Sequence, residues 1–216
     1  MQALVGQPFR INSHLGMMLL LMLLTGCGRE TAGLSVSPSD MQQWRWNPQH
    51  TYSLLAAMAL ESEAVMLQNQ VPADIVSYCR GYTSLDPSQR TQFWVDLLAT
   101  MSFYESQHDP DLTYQERFND NSGAPVISRG LLQLSYESSQ NYDCPLENEA
   151  QLHLPAKNID GAVRILNKWV VEDGVISEQA GWLSREWRGG ARYWAVLRRP
   201  ETLFAIQQQL QRQPYC

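Results

Sequence analysis

The residue best placed for acid–base chemistry in this sequence is a glutamate at the end of a long apolar segment. Glu105 follows a stretch in which large apolar residues recur at helical spacing, from Phe93 to Met101. Burial disfavours the charged form of a carboxyl group, so it raises the pKa and allows proton donation near neutral pH. This pattern predicts a general acid. The alternative open at this point is an exposed glutamate at the end of a fraying helix.

The helix that would carry Glu105 has clear start and stop signals. Asp86 can cap the first turn, Pro87 suits the first helical position, and Gln89 occupies the position of a capping box. Proline disfavours helical geometry at the residue before it, so the helix must end near Asp109-Pro110. The sequence therefore places Glu105 on the last turn.

The remaining chain indicates a mainly α class with a small β-hairpin lobe. Turn residues at 119–123 followed by an apolar β-branched segment predict a hairpin before residue 135. Helices are predicted elsewhere from apolar periodicity and capping residues. These helices cover residues 51–68, a segment capped by Asn158, the segment 193–197 and residues 202–212.

Three segments in a fixed order resemble the core motifs of the soluble lytic transglycosylase domain, within the goose-type lysozyme-like superfamily. They are residues 101–110 (MSFYESQHDP), 128–135 (SRGLLQLS) and 158–166 (NIDGAVRIL). The resemblance covers about residues 79–200. It implies a lysozyme-like fold and cleavage of peptidoglycan glycan strands, with no metal or cofactor.

The resemblance also implies roles for individual residues. Glu105 would be the catalytic acid and base, and Ser106 would help to orient the site and bind substrate. Ser128 and Gln133 would line the sugar cleft, where the Gln133 amide can bond sugar hydroxyls and acetamides. Gly130 would let the backbone pass close to the substrate. The alternatives are a plain turn for Gly130 and an exposed polar position for Gln133.

The last motif departs from the family pattern. The family carries an Ala-Tyr-Asn-x-Gly segment whose tyrosine approaches the catalytic carboxylate. The nearest match here is residues 189–194 (GGARYW), which lack that Asn and Gly. Tyr193 is the best match, with its hydroxyl expected to point at Glu105. The alternative is a tyrosine that only fills the core.

The resemblance implies the lytic transglycosylase reaction, with a muramidase on the same fold as the alternative, and the two reactions differ in the need for a second carboxylate. A lytic transglycosylase uses Glu105 alone and closes a 1,6-anhydro ring on MurNAc, whereas a muramidase needs a second carboxylate to assist water. No motif marks such a residue. Asp120 is a candidate, although acids in such clusters commonly bond their own backbone, so we expect a turn residue. The alternative outside the enzymes is a non-catalytic lipoprotein that binds glycan or docks onto a secretion machine.

The N-terminus predicts export and lipidation. Arg10, the uncharged apolar run at 15–24 and the small residues Thr25 and Gly26 make a secretory signal. They precede Cys27 in an arrangement that resembles the lipobox of bacterial lipoproteins, which implies a lipid on that cysteine. The alternative is a transmembrane anchor, but the apolar run has only ten residues, whereas a helix that spans a membrane needs about 20.

The expected organisation is a signal peptide (1–26), a lipidated N-terminus with a flexible tether (27–43) and one lysozyme-like domain (44–216). Gly28 follows Cys27 where inner-membrane retention would favour Asp, so the periplasmic face of the outer membrane is the expected location. Membrane contact would be through the lipid anchor only.

The charge, the cysteines and the histidines of the chain bear on its partners, its disulfides and its metal binding. A formal net charge of −6 argues against nucleic acid as a partner. Beyond Cys27, the cysteines are Cys79, Cys144 and Cys216, which allow three pairings and one free thiol. We favour Cys79 with Cys216, because a bridge at the last residue would hold a tail that otherwise frays. The histidines show no metal-ligand spacing.

Overall fold

The computed structural model describes Trp46 and residues 51–144, 146–181 and 184–216. The predicted signal peptide, the lipidation site Cys27 and the tether up to residue 43 lie outside the described residues. Within the described ranges no helix is long and apolar enough to cross a membrane.

The fold is mainly α with a small β lobe, as predicted. Two short 3₁₀ segments, Gly190–Arg192 and Ala195–Leu197, precede the last helix. The α-helices of the described residues are α1 (Thr51–Glu63), α2 (Val65–Asn69), α3 (Pro87–Ser106), α4 (Tyr136–Gln140), α5 (Pro155–Asp173) and α6 (Pro200–Gln211). The strands are β1 (Thr113–Asn119), β2 (Pro125–Arg129), β3 (Leu134–Ser135), β4 (Ser177–Gln179) and β5 (Trp187–Gly189).

Helix α3 is the central element that positions Glu105. The Asp86 carboxylate accepts from the Gln89 N–H at 2.9 Å, and the Gln89 side chain accepts from the Asp86 N–H at 3.1 Å, which completes the predicted capping box. The helix ends at Ser106 because Gln107 is left-handed, with φ of 54°. It packs against α1 and α6, so most of its length is buried and its last turn is fixed in space.

The β lobe follows α3 directly. Strand β1 pairs antiparallel with β2, and β2 pairs with β3. In the β1–β2 turn, the Asp120 carboxylate accepts hydrogen bonds from the N–H groups of Ser122 and Ala124, both at 2.8 Å. Asp120 is therefore a turn residue, as expected.

Helix α5 begins earlier than predicted and uses Asn158 differently. It starts at Pro155, so Asn158 lies inside the first turn and is fully buried. The Asn158 side chain accepts from the Leu132 N–H at 2.8 Å and donates to the carbonyls of Arg129 and Leu152, each at 2.9 Å. The capping prediction is wrong because the Asn158 amide instead binds these three backbone groups, two of which belong to the 129–132 loop.

The segment 193–197 is not the predicted helix. It contains the 3₁₀ turn Ala195–Leu197 and directly follows the turn Gly190–Arg192, and β4 and β5 form a short hairpin before it that no sequence pattern indicated. Gly189 has φ of +66°, and a Cβ there would lie 2.2 Å from the Val175 carbonyl oxygen. This close approach bends the chain immediately before Gly190 and prevents a continuous helix.

The predicted disulfide between Cys79 and Cys216 is confirmed, with a sequence separation of 137 residues. The Gly81 N–H also donates to the Cys216 carbonyl at 3.0 Å. No described cysteine is a free thiol, so the expectation of one is wrong; the Cys144 sulfur lies against Asp160, 3.7 Å from its Oδ2.

Candidate active site

Glu105 opens into a cleft of about 470 Å³ between the end of α3, strand β1 and the segment 195–199. The side chain is half-buried on the last turn of α3, where the sequence placed it. Gln133 closes one part of the cleft, and Val196 and Arg199 line another part.

The electrostatic surroundings of Glu105 suit a proton donor. Burial raises its pKa from the usual value of 4.5 to about 7. The positive charges of Arg199 and Arg198 and a hydrogen bond from the Val196 N–H partly oppose that rise, while the charge of Glu116 adds to it. The carboxyl group therefore exchanges its proton near neutral pH, as a general acid requires.

A second carboxylate, Glu116, lines the same cleft from strand β1. Its Oε1 accepts a hydrogen bond from the Ser128 hydroxyl of β2 at 2.7 Å. No motif marks this residue, and the turn signals at 119–123 predict a β lobe that begins only after it. The signal for it is a spacing of two, since Tyr114, Glu116 and Phe118 all line the cleft; Arg117 also lines it, where the β1–β2 register is irregular.

Ser128 acts on the cleft through Glu116. Its side chain is buried, with 5% of its surface exposed, and it is not among the residues that line the cleft. The structure therefore gives Ser128 the geometry of a positioning residue for the second carboxylate.

Gln133 lies in the cleft wall, as the resemblance implied. It adopts a left-handed backbone conformation, with φ of 47°. Its amide nitrogen donates to the carbonyls of Gly130 at 2.8 Å and Leu112 at 3.2 Å. Those bonds fix the side chain and leave the amide oxygen for a ligand.

Ser106 and Gly130 support the cleft from behind. The Ser106 hydroxyl donates to the Leu131 carbonyl at 2.8 Å, and the side chain is buried away from the cleft. Gly130 has φ of +74°, and a Cβ there would lie 2.3 Å from the Leu152 carbonyl oxygen. Glycine is therefore required because the backbone at position 130 passes close to the neighbouring loop. The expected close approach to substrate is not what constrains this position.

Tyr193 does not point at Glu105. Its hydroxyl accepts a hydrogen bond from the Ser135 N–H at 3.2 Å, at the start of α4. Its ring packs edge-on against Tyr142 and Trp194. The expectation from the family motif is wrong: the 3₁₀ turn directs Tyr193 to Ser135, and Val196 and Arg199 of the following segment line the cleft with Glu105.

The outer wall of the cleft is aromatic. Tyr114 and Phe118 are 49% and 61% exposed, and exposed rings of this kind stack on the apolar faces of sugars. Among the described residues, no group of three or more His, Cys, Asp or Glu side chains could hold a metal ion. The arrangement thus offers a proton donor, a second carboxylate and a stacking surface.

Comparison with solved structures finds the Bdellovibrio protein Bd0314 DslA. Its wild-type structure has a TM-score of 0.72 and 38% identity, and the match covers 76% of this chain and 90% of that chain. Two variants of the same protein match at 37% identity over the same shares, with TM-scores of 0.72 and 0.71. Each variant replaces one glutamate by glutamine, and the two positions are eleven residues apart. No protein-family model and no curated protein matches the chain.

Proposed function

The chain belongs to the family of Bd0314 DslA, and we propose that it is an enzyme that cleaves the β-1,4 bond between MurNAc and GlcNAc in peptidoglycan. The observation that carries this proposal is Glu105, a half-buried acid whose pKa is raised to about 7 and which opens into an aromatic-walled cleft. The motif resemblance of residues 101–110 and 128–135 supplies the substrate class.

In the proposed reaction Glu105 protonates the glycosidic oxygen, so the bond breaks and positive charge develops at the sugar carbon. Glu116 then takes a proton from a water molecule whose oxygen attacks this carbon, so Glu105 is left as the carboxylate and Glu116 is left protonated. Inverting glycosidases use two carboxyl groups in this way, one as acid and one as base. Glu116 suits the second role because it lines the same cleft and the Ser128 hydroxyl fixes its orientation.

The separation of the two glutamates adds support for this pair. Glu105 and Glu116 are eleven positions apart, as are the two glutamates replaced in the variants of Bd0314 DslA. We infer that the two pairs correspond. Hydrolysis, the muramidase alternative, is therefore the outcome that this site favours.

The lytic transglycosylase reaction is the second candidate, and the resemblance of the three sequence motifs favours it. In that route Glu105 acts first as acid and then as base. It removes the proton of the C6 hydroxyl of MurNAc, whose oxygen attacks the same sugar carbon and closes a 1,6-anhydro ring. Water is not consumed, and Glu116 is not needed as a base.

We further propose that the domain works while anchored by a lipid on Cys27 in the bacterial envelope, on the periplasmic face of the outer membrane. A tether of residues 27–43 would let the domain reach glycan strands in the adjacent wall. The partner is the glycan itself, with cell-wall or secretion machinery as a further candidate. A non-catalytic, glycan-binding protein remains the competing proposal.

Product analysis in H₂¹⁸O separates these functions. Purified sacculi are digested with the wild-type protein and with a Glu201→Gln control, which removes an exposed carboxylate of α6. Hydrolysis predicts soluble fragments with an ¹⁸O-labelled reducing end. Transglycosylation predicts unlabelled 1,6-anhydro ends that are lighter by one water. Binding to sacculi without any release of fragments would contradict both and support the non-catalytic role.

A further inference from the structure

A second cleft, of about 620 Å³, reaches the segment 195–199, which also lines the catalytic cleft. Arg198 lines this second cleft, while the neighbouring Arg199 lines the catalytic cleft. We call the second cleft the arginine pocket, because its wall includes Trp169, Trp187, Arg185, Arg188, Arg192 and Arg198. Its composition contrasts with the chain as a whole, which has a net charge of −6.

Two of the four guanidinium groups are fixed by internal carboxylates. Arg192 donates to both oxygens of Asp173, at 2.7 and 2.8 Å. Arg188 pairs with Glu178 and also donates to the Asp173 carbonyl at 2.6 Å. These two side chains are held in place and form a rigid part of the wall.

The other two guanidinium groups have no such partner. Within the described part of the chain, neither Arg185 nor Arg198 has a carboxylate within 4.0 Å. Arg198 is half-buried, and its hydrogen bond to the Tyr193 carbonyl is long, at 3.4 Å. The lining contains four arginines and one glutamate, Glu186, so it has an excess of positive charge. Arginine pairs with carboxylates through two parallel hydrogen bonds, which favours an anionic ligand here.

The tryptophans make the pocket suitable for a ligand that is partly apolar. The Trp169 indole N–H donates to the Tyr142 hydroxyl at 2.8 Å, and the Arg192 guanidinium lies 4.5 Å from the centre of the Trp169 ring. The ring is therefore held from both sides. An acidic peptide offers both the carboxylates and the apolar side chains that such a wall accepts.

We infer that the arginine pocket binds the carboxylate groups of the peptide attached to the glycan strand that is cleaved in the neighbouring cleft. This inference rests on the proposed function, which places a peptide-bearing sugar beside Glu105. Arg198 connects the arginine pocket with the catalytic cleft, because it lines the pocket and its charge also acts on the Glu105 carboxyl group. The pocket would make the enzyme prefer strands that carry peptides.

Kinetics on two matched substrates test the inference. Glycan strands with intact peptides and strands stripped of peptides by an amidase are each digested by wild type, Arg185→Gln and Arg198→Gln. Arg212→Gln removes an exposed charge just after α6, outside the arginine pocket, and serves as the control. We expect the wild-type preference for peptide-bearing strands, as a ratio of kcat/KM values, to fall about fivefold to tenfold in each pocket variant. An unchanged ratio would overturn the inference.

A binding measurement keeps the two proposals separable. The probe is a synthetic acidic stem peptide, compared with the same peptide amidated at its carboxylates and with inorganic phosphate, and the readout is the NMR signal of the Trp187 indole N–H. We expect saturable shifts with the acidic peptide that are lost on amidation and in Arg185→Gln. Equal shifts with phosphate alone would contradict the peptide assignment. If the peptide binds but no glycan is cleaved, the proposed function fails while the pocket stands.

Discussion

The Ser128 hydroxyl donates a 2.7 Å hydrogen bond to Glu116 Oε1 and so joins strands β1 and β2 at the cleft. This bond uses the proton of a buried serine to fix one oxygen of a half-buried carboxylate. Among the described residues no hydrogen bond reaches the other oxygen, so it can meet water or substrate. The pairing explains why a serine from a motif can be important without touching the sugar.

Replacing Ser128 by alanine should therefore lower kcat more than it changes KM. Without the hydroxyl, Glu116 loses the bond that orients it, and we expect kcat to fall about tenfold, the usual cost of one positioning hydrogen bond. Ser128→Thr keeps the hydroxyl and should restore most of the activity. Steady-state kinetics on soluble glycan strands measure both parameters. A rise in KM at constant kcat would instead indicate direct substrate binding by Ser128.

The pH dependence of kcat/KM should report the Glu105 proton. The acid must be protonated to act, and its pKa is about 7, so activity should fall about tenfold per pH unit above that value. Arg199→Gln removes a positive charge that lowers this pKa, so the alkaline limb should move to higher pH. Arg212→Gln, far along α6, should leave the limb in place. If the alkaline limb of the kcat/KM profile does not move in Arg199→Gln, the assignment of that limb to Glu105 is wrong.

Glycine at position 130 should be required for stability. An alanine there would hold a left-handed conformation and place its Cβ 2.3 Å from the Leu152 carbonyl oxygen. We expect Gly130→Ala to lower the free energy of unfolding by at least about 2 kcal/mol, since the left-handed backbone alone costs about 1–2 kcal/mol. Urea denaturation measures this. Gly123→Ala is the control, because its left-handed turn leaves open space around a Cβ; equal losses in both variants would show that crowding at Gly130 is unimportant.

The Cys79–Cys216 bridge should contribute strongly to stability. It closes a loop with a sequence separation of 137 residues, and the chain-entropy model gives about 4–5 kcal/mol for a loop of that size. The double variant Cys79→Ser, Cys216→Ser should therefore unfold at a clearly lower temperature. Thermal unfolding with and without reductant provides the check. Reductant should lower the wild-type Tm, and an unchanged Tm in the double variant would contradict the prediction.

The sequence was most informative where local signals act alone. The capping box from Asp86 to Gln89 sets the start of α3, and its end at Ser106, before the left-handed Gln107, lies close to the predicted stop at Asp109-Pro110. Chain-end reasoning also gave the Cys79–Cys216 pair. The helix-end predictions depend on short-range geometry, which a single sequence records directly.

Long-range contacts account for what the sequence did not predict. Asn158 has the residue type of a helix cap, yet its amide is used by the 129–132 loop far along the chain. Tyr193 matched a motif tyrosine, but a 3₁₀ turn directs it to Ser135. Glu116 belongs to no motif, and only the folding of β1 brings it into the same cleft as Glu105. Tertiary packing decided each of these positions.

The most direct test of the central claim is the release of soluble muropeptides from purified sacculi by the wild type and by Glu105→Gln. The substitution keeps the size of the side chain but removes the proton that it donates. We predict that the rate falls by about a thousandfold, within the range of general acid catalysis, while the Glu201→Gln control matches the wild type. Equal release by the wild type and Glu105→Gln would show that Glu105 is not the acid and would contradict the account.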